Sequence, residues 1–313
     1  MSDIVVNAFI EDHLEEMVVV TGLPRSGTSI VGQLVGSFDS VEYAYEPPML
    51  PYFDARLRYG ELCAEDVTEL TRSYLFHDFY ANLLHGRRYN FRPGDFSYVL
   101  DMKSIPEVLE KWSRVDRIQD ALCEADAHTF CLKFPAFYTL LEALYEPVPT
   151  VRVIDINRNL ERIVASLMGK RWFVDENLGE DATGMWPFRE SSGELMAPYF
   201  VRDDDVDRWD EMTPETRTVY ICNRLAEDRA SFRSRYEDRD TYYELSYEDL
   251  VAQPTDVAES LGRFLDLDAG FKTDQIVGKI SSTEPDREIE RVLDRCAPDV
   301  TERFRELSPG FQR

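Results

Sequence analysis

Gly22-Leu23-Pro24-Arg25-Ser26-Gly27-Thr28-Ser29 gathers, in one short stretch, the groups that an anion site needs. It follows the β-branched run Met17-Val18-Val19-Val20 and precedes Ile30, Val31, Leu34, Val35 and Phe38 at helical spacing. It therefore reads as a turn between a buried strand and a helix. Consecutive backbone N–H groups and the positive end of the helix dipole make such a turn a seat for phosphate or sulfate. Gly27 lets the backbone come close to the anion, Thr28 and Ser29 offer hydroxyls, and Arg25 offers charge-assisted hydrogen bonds. The nucleoside-triphosphate pattern has a longer Gly-to-Gly gap and a Lys before Ser or Thr. That Lys is missing here. The formal charge is −25, so a polyanion site must gather the few cations of the chain, which gives Arg25 added weight.

The elements that position this turn follow from the apolar pattern. Val41 to Tyr45 reads as a second short strand that stops at Glu46-Pro47-Pro48, because a residue before proline is pushed out of the helical region. Thr129 to Lys133 reads as a strand ending at Phe134-Pro135. Thr150 to Ile156 is a stronger one, running into Asn157-Arg158 and feeding a helix over Leu160 to Met168. Repeated strand-to-helix units imply a parallel sheet with crossover helices, whose C-terminal strand ends share one edge. Thr213 to Ser234 reads as helix, Tyr242 to Ser246 as a last strand, and Glu248 to Val251 and Val257 to Phe264 as helices. Residues 52–126 read as a mainly helical insertion whose aromatic residues serve the core. Residues 175–210 read as a lid or long loop, since Gly179, Gly184, Pro187, Gly193, Pro198 and Asp203-Asp204-Asp205 break any periodicity. No repeat or linker divides the chain. The expected architecture is one α/β domain over residues 1–313, a P-loop-type three-layer fold with a central, mainly parallel sheet flanked by helices.

Pro24-Arg25-Ser26-Gly27-Thr28-Ser29 resembles the 5′-phosphosulfate loop of the sulfotransferases that use 3′-phosphoadenosine-5′-phosphosulfate (PAPS). That family's 3′-phosphate site has an Arg at a strand end and a Ser on the next helix, which the resemblance places at Arg158 and Ser166. In a helix, Ser166 is able to face back toward the strand end. Ser246-Tyr247-Glu248-Asp249-Leu250-Val251, with Pro254 and Phe264-Leu265-Asp266-Leu267, is similar to the family's Tyr-Glu-Asp-Leu segment and following helix, for which the resemblance implies a structural role only. Lys133-Phe134-Pro135 resembles the Lys-x-Pro element of the carbohydrate and tyrosyl-protein branch.

The resemblance implies transfer of a sulfuryl group from PAPS, as co-substrate and without a metal, to a hydroxyl of an acceptor: a carbohydrate, a lipid, a phenol or another small molecule. Such transfer needs cationic donors, assigned to Arg25 and Lys133, and a base for the acceptor hydroxyl. The cytosolic small-molecule branch carries a His two residues after the Lys. Pro135 stands there in this chain, so Glu46 is the candidate base. The family's C-terminal Arg-Lys-Gly cap over the 3′-phosphate has no close match, and Gly278-Lys279-Ile280-Ser281-Ser282-Thr283 is a loose substitute through Lys279 or Ser282. Tyr43, Tyr45, Tyr52 and Phe53 are candidates for an acceptor cleft. A P-loop kinase-like enzyme and a catalytically inactive protein of the same fold remain the competing readings.

Composition narrows the classes further. A chain of 313 residues, 43% of them hydrophobic, can bury a full core. Its longest apolar runs fall well short of the roughly 20 residues that cross a bilayer. Its acidity argues against nucleic-acid binding and against docking on anionic membranes. That acidity fits either a salt-rich habitat or a solvated surface kept for solubility. The acidic stretch Met1 to Glu16 is unlike a secretory leader, and a cytoplasmic location is expected. Cys63, Cys123, Cys131, Cys222 and Cys296 have no paired spacing, and His13, His77, His85 and His128 are isolated, so no metal site is expected.

Overall fold

Five short strands rich in Val, Ile and Tyr form the centre of the computed structural model, which describes residues 14–113, 127–148, 150–179, 186–191, 193–281 and 289–311. In chain order the main elements are β1 (Val18–Gly22), α1 (Thr28–Gly36), β2 (Val41–Tyr45), α2 (Leu50–Arg58), α3 (Ala64–Tyr74), α4 (Ile105–Ser113), β3 (Thr129–Lys133), α5 (Tyr138–Tyr145), β4 (Arg152–Asn157) and α6 (Leu160–Lys170). After them come β5 (Phe188–Arg189), β6 (Ala197–Pro198), α7 (Pro214–Tyr236), β7 (Tyr242–Ser246), α8 (Tyr247–Ala252), α9 (Pro254–Leu265) and α10 (Pro298–Leu307).

The sheet runs β2-β3-β1-β4-β7 with every pairing parallel. Side chains alternate between its faces. Val18, Val20, Cys131, Ile154 and Ile156 pack under α1 and α9 in one core, and Val19, Phe130, Leu132 and Val153 join α5, α6 and α7 in the other. This is the three-layer α/β architecture read from the sequence. Its functional consequence lies in the register: Tyr45 stands opposite Lys133, Gly22 opposite Ile156, and Asn157 opposite Ser246. The turns after β1, β2, β3, β4 and β7 therefore open on one edge, where open α/β sheets bind ligands.

A buried charge steadies the strand that presents Arg158. Asp155 of β4 is fully buried and accepts hydrogen bonds from Tyr138 (3.0 Å), Tyr242 (2.6 Å) and Arg229 Nε (3.2 Å). These partners lie on α5, β7 and α7, so one satisfied carboxylate ties β4 to its neighbouring strand and to two helices of one flanking layer.

Residues 52–113 are mainly helical, and Leu75, Phe76, Phe79 and Tyr80 bury in the larger core. Residues 114–126 of the expected insertion lie outside the described residues. The part of 175–210 that is described differs from a loose flap. β5 and β6 pair antiparallel, and Trp186, Tyr199, Phe200, Val201 and Trp209 are buried. Arg217, itself buried, donates to Trp209 O (3.1 Å) and Asp210 O (3.2 Å). The aromatic residues bury one at a time against the core instead of lining one face of an element, which is why no period appears in the sequence.

Candidate active site

The turn after β1 takes a conformation that depends on its two glycines. Gly22 has φ +145°, and a Cβ there would lie 2.6 Å from Ile156 O and 2.7 Å from Ser26 Oγ. Arg25 has φ +72° and Gly27 φ +103°. Gly27 caps α1 without a side-chain hydrogen bond, and its carbonyl accepts from Ile30 N and Val31 N, both at 3.2 Å. The first N–H groups of a helix have no intrahelical partner, so those of Thr28 and Ser29 are directed toward whatever sits on the turn.

Arg158 leaves the end of β4 and meets the same turn. Its Nη1 donates to Arg25 O (2.8 Å), and its guanidinium lies 4.1 Å over the Tyr247 ring. Burial pulls the Arg158 guanidinium below its ordinary value, against the opposing influence of Tyr247 and Glu248. A bound anion would reverse that trend. Among the described residues, Ser26 Oγ and Arg158 Nε are buried without a hydrogen-bond partner. A hydroxyl and a guanidinium N–H left unpaired beside a helix N-terminus fit an anionic ligand, because burying them otherwise is costly.

Across the cavity the end of β2 meets the end of β3. Glu46 and Lys133 form an ion pair, and Lys133 Nζ also lies 4.3 Å from the centre of the Tyr45 ring. Lys133 is almost fully buried while Glu46 is partly open, with side-chain exposures of 3% and 27%. Glu46 does not take the extended conformation usual before proline: its φ is +42°, with its N–H donating to Lys133 O (3.3 Å). The hydrogen bond and ion pair to Lys133 hold a backbone conformation that a Glu rarely adopts.

Pro24, Arg25, Gly27, Thr28, Ser29, Glu46, Lys133, Arg158 and Lys279 all line one cavity of about 620 Å³. Ser26 lies buried in the same turn. Ser166 does not meet Arg158 directly; its Oγ accepts from Arg25 Nε (3.1 Å), so it orients the arginine of the loop. Lys279 forms an ion pair with Asp101 (3.1 Å), and Ser282 lies outside the described residues. Of the aromatic candidates, Tyr45 and Tyr52 line the cavity, whereas Tyr43 and Phe53 pack into the cores.

Sequence reasoning missed several wall residues. Tyr247, in a segment expected to be only structural, lines the cavity, and its ring would stand 2.5 Å from a Cβ on Gly27. Phe96, Phe137, Trp172 and Trp186 are further wall residues. They come from four separate segments, and no motif spacing links them.

A second charge cluster sits lower on β2, away from the cavity lining. Glu42 is fully buried, paired with Lys111 and close to Lys103 Nζ (3.8 Å) and His128 Nδ1 (3.6 Å), and it accepts from Tyr89 OH (3.2 Å). Burial alone would raise the Glu42 carboxyl, but Lys103, Lys111 and His128 together hold it below its ordinary value. Burial and Lys111 hold the His128 imidazole below its own, against the pull of Glu42. Among the described residues no group of three or more His, Cys, Asp or Glu is placed to hold a metal ion, and no helix is long and apolar enough to cross a membrane.

Residues 17–186, more than half of the chain, match a family model described as the sulfotransferase family. No curated protein matches the sequence. Among solved structures the chain is similar to sulfotransferase STF9 from Mycobacterium avium, with 14% identity, TM-score 0.48, and 97% of this chain and 81% of that one covered. It is similar to sulfotransferase STF1 from Mycobacterium tuberculosis H37Rv, with 17% identity, TM-score 0.43, and coverage of 92% and 79%. It is also similar to mouse sulfotransferase SULT7A1 complexed with PAP, with 8% identity, TM-score 0.43, and coverage of 98% and 90%.

Proposed function

The chain belongs to the sulfotransferase family and transfers a sulfuryl group, and from that premise we propose that PAPS is the donor and that the cavity at the strand ends holds it against an acceptor hydroxyl. The observation that carries this reading is the pair of buried, unpartnered groups, Ser26 Oγ and Arg158 Nε, placed beside the start of α1. Bound there, PAPS would supply an activated sulfuryl group on a phosphate leaving group.

The turn from Pro24 to Ser29 would hold the 5′-phosphosulfate through the N–H groups of Thr28 and Ser29, the Ser26 hydroxyl and the Arg25 guanidinium. Ser166, by accepting from Arg25 Nε, would orient that exposed guanidinium at the turn. Arg158 would hold the 3′-phosphate with Tyr247 packed beneath its guanidinium. Lys279, exposed and paired with Asp101, is the residue that could close over the nucleotide.

Lys133 and Glu46 divide the remaining work. The buried Lys133 ammonium stabilises charge that develops in the transition state, and the Glu46 carboxylate takes the acceptor proton. Their ion pair keeps both in place before an acceptor arrives. The four described cysteines are free thiols, which accords with a cytoplasmic enzyme.

Thermal shift and calorimetry with 3′-phosphoadenosine-5′-phosphate (PAP), against ATP with Mg²⁺, test the reading. PAP should raise the melting temperature by mass action and bind at micromolar or tighter Kd without metal. Equal affinity for PAP and its 3′-dephosphorylated form would overturn it.

A further inference from the structure

Beyond the phosphate loop and the Glu46–Lys133 pair, much of the cavity wall is aromatic and aliphatic. Phe137, Trp172, Trp186, Pro51 and Ile280 contribute to it, with Tyr52 and Phe96 beside them. Trp186 is only 8% exposed and is fixed edge-on by Trp172 (5.4 Å, 86°) and face-on by Phe173 (5.7 Å, 6°). Tyr52 and Phe96 are 51% and 48% exposed, so large aromatic surfaces beside the cavity are left to solvent until a ligand covers them.

The charged groups on the wall are each placed at the phosphate turn or in an ion pair. Among the described lining residues the cations are Arg25 and Arg158 at the phosphate turn, Lys133 paired with Glu46, and Lys279 paired with Asp101. Glu46 is the one carboxylate, and the described lining contains no Asn, Gln, Asp or His. Away from the turn, the described lining offers a sugar's many hydroxyls only the tips of Tyr, Ser and Trp side chains and no amide or second carboxylate, so most of those hydroxyls would be buried against proline and aromatic rings. An anionic acceptor would find no uncommitted cation, in a protein whose net charge of −25 already repels it.

Resting on the sulfuryl-transfer reading, we propose that the acceptor is an uncharged aromatic alcohol, with its hydroxyl at Glu46 and its ring against the wall of Phe137, Trp172 and Trp186. The acceptor oxygen forms its bond to sulfur as the bond from sulfur to the 5′-phosphate oxygen of PAPS breaks. The phosphate keeps that electron pair, giving PAP, and Glu46 takes the hydroxyl proton. Aromatic rings suit such a wall because edge and face contacts add to the burial of apolar area.

Calorimetry on the full chain saturated with PAP, using 2-naphthol, N-acetylglucosamine and glucuronic acid as probes, tests this. Naphthol should bind at least about tenfold more tightly than either sugar, since pocket contacts of this kind discriminate by roughly 10–200-fold. Trp172→Ala and, at an exposed position tolerant of change, Phe96→Ser should each weaken naphthol several-fold while PAP affinity stays as it was. Equal or tighter binding of either sugar, or no naphthol binding at millimolar concentration by a chain that binds PAP, overturns the acceptor class alone. Naphthol affinity untouched by both substitutions overturns it as well. Failure to bind PAP overturns this proposal and the sulfuryl-transfer reading together.

Discussion

Replacing Glu46 by Gln separates the two roles that its position permits, base for the acceptor and counter-ion for Lys133. Losing one partner of a fully buried ion pair costs about 3–5 kcal/mol. Glu46 is 27% exposed, Gln keeps an oxygen that accepts from Lys133, and the Tyr45 ring 4.3 Å from Nζ remains, a contact worth about 0.5–2 kcal/mol. The fold should therefore lose only about 1–2 kcal/mol, a fall of a few degrees in melting temperature. Removing a general base costs about 10²–10⁴ in rate, equivalent to about 2.7–5.4 kcal/mol on the barrier. The assay is sulfuryl transfer from PAPS to the fastest acceptor of a panel, with PAP affinity followed by calorimetry. Glu46→Gln should lower kcat by that factor and leave PAP affinity within about threefold, since the carboxylate does not hold the phosphates. Turnover within about tenfold of the parent chain would refute the assignment and leave Glu46 as a counter-ion.

Arg158→Ala should reduce the preference for PAP over its 3′-dephosphorylated form by about 1.5–3 kcal/mol, the worth of a charged hydrogen bond; an unchanged preference in calorimetry would remove Arg158 from the 3′-phosphate. Gly27→Ala forces a side chain to φ +103° with its Cβ 2.5 Å from the Tyr247 ring. It should cost about 1–3 kcal/mol and weaken PAP, and adding Tyr247→Ala should not restore binding, because the backbone conformation stays strained. Stability should also fall on acidification in two steps, followed by melting temperature against pH. His128 is held below its ordinary value of 6.5, so the unfolded chain takes up the proton first and stability declines as pH drops below about 6.5. Glu42 is held below its ordinary 4.5, so its contribution is present above that value and is lost as pH falls through the lower folded value. His128→Asn should remove the upper step and, because His128 helps hold Glu42 down, lessen the lower one; an unchanged profile would refute the role given to His128.

The phosphate turn and the strand ends were legible because each is local. A β-branched run, a glycine turn and a helical stripe lie next to one another in the chain, and the parallel sheet then brings Arg25, Glu46, Lys133 and Arg158 to one edge. Contacts between distant segments were not legible. The motif places Ser166 with Arg158 at a 3′-phosphate; its hydrogen bond with Arg25 was not legible, because side-chain reach depends on a turn conformation with φ +72° that no spacing reports. Tyr247 looked structural because its partners, Gly27 and Arg158, are far away in sequence. Trp172 and Trp186 carry no signal at all, since isolated aromatic residues read the same in a core and in a cavity wall.

The hydrogen bond from Arg158 Nη1 to the Arg25 carbonyl (2.8 Å) would make the two proposed phosphate subsites one thermodynamic object. An anion that draws on Arg158 at one end changes how firmly the backbone of the 5′ turn is held at the other, and by reciprocity an anion on the turn changes the affinity of Arg158. The free energies of a 3′-phosphate fragment and a 5′-phosphate fragment, measured separately, will then not sum to that of the intact nucleotide. The surplus or deficit is the coupling that this single bond transmits, and a substitution at either residue is read at both ends of the ligand.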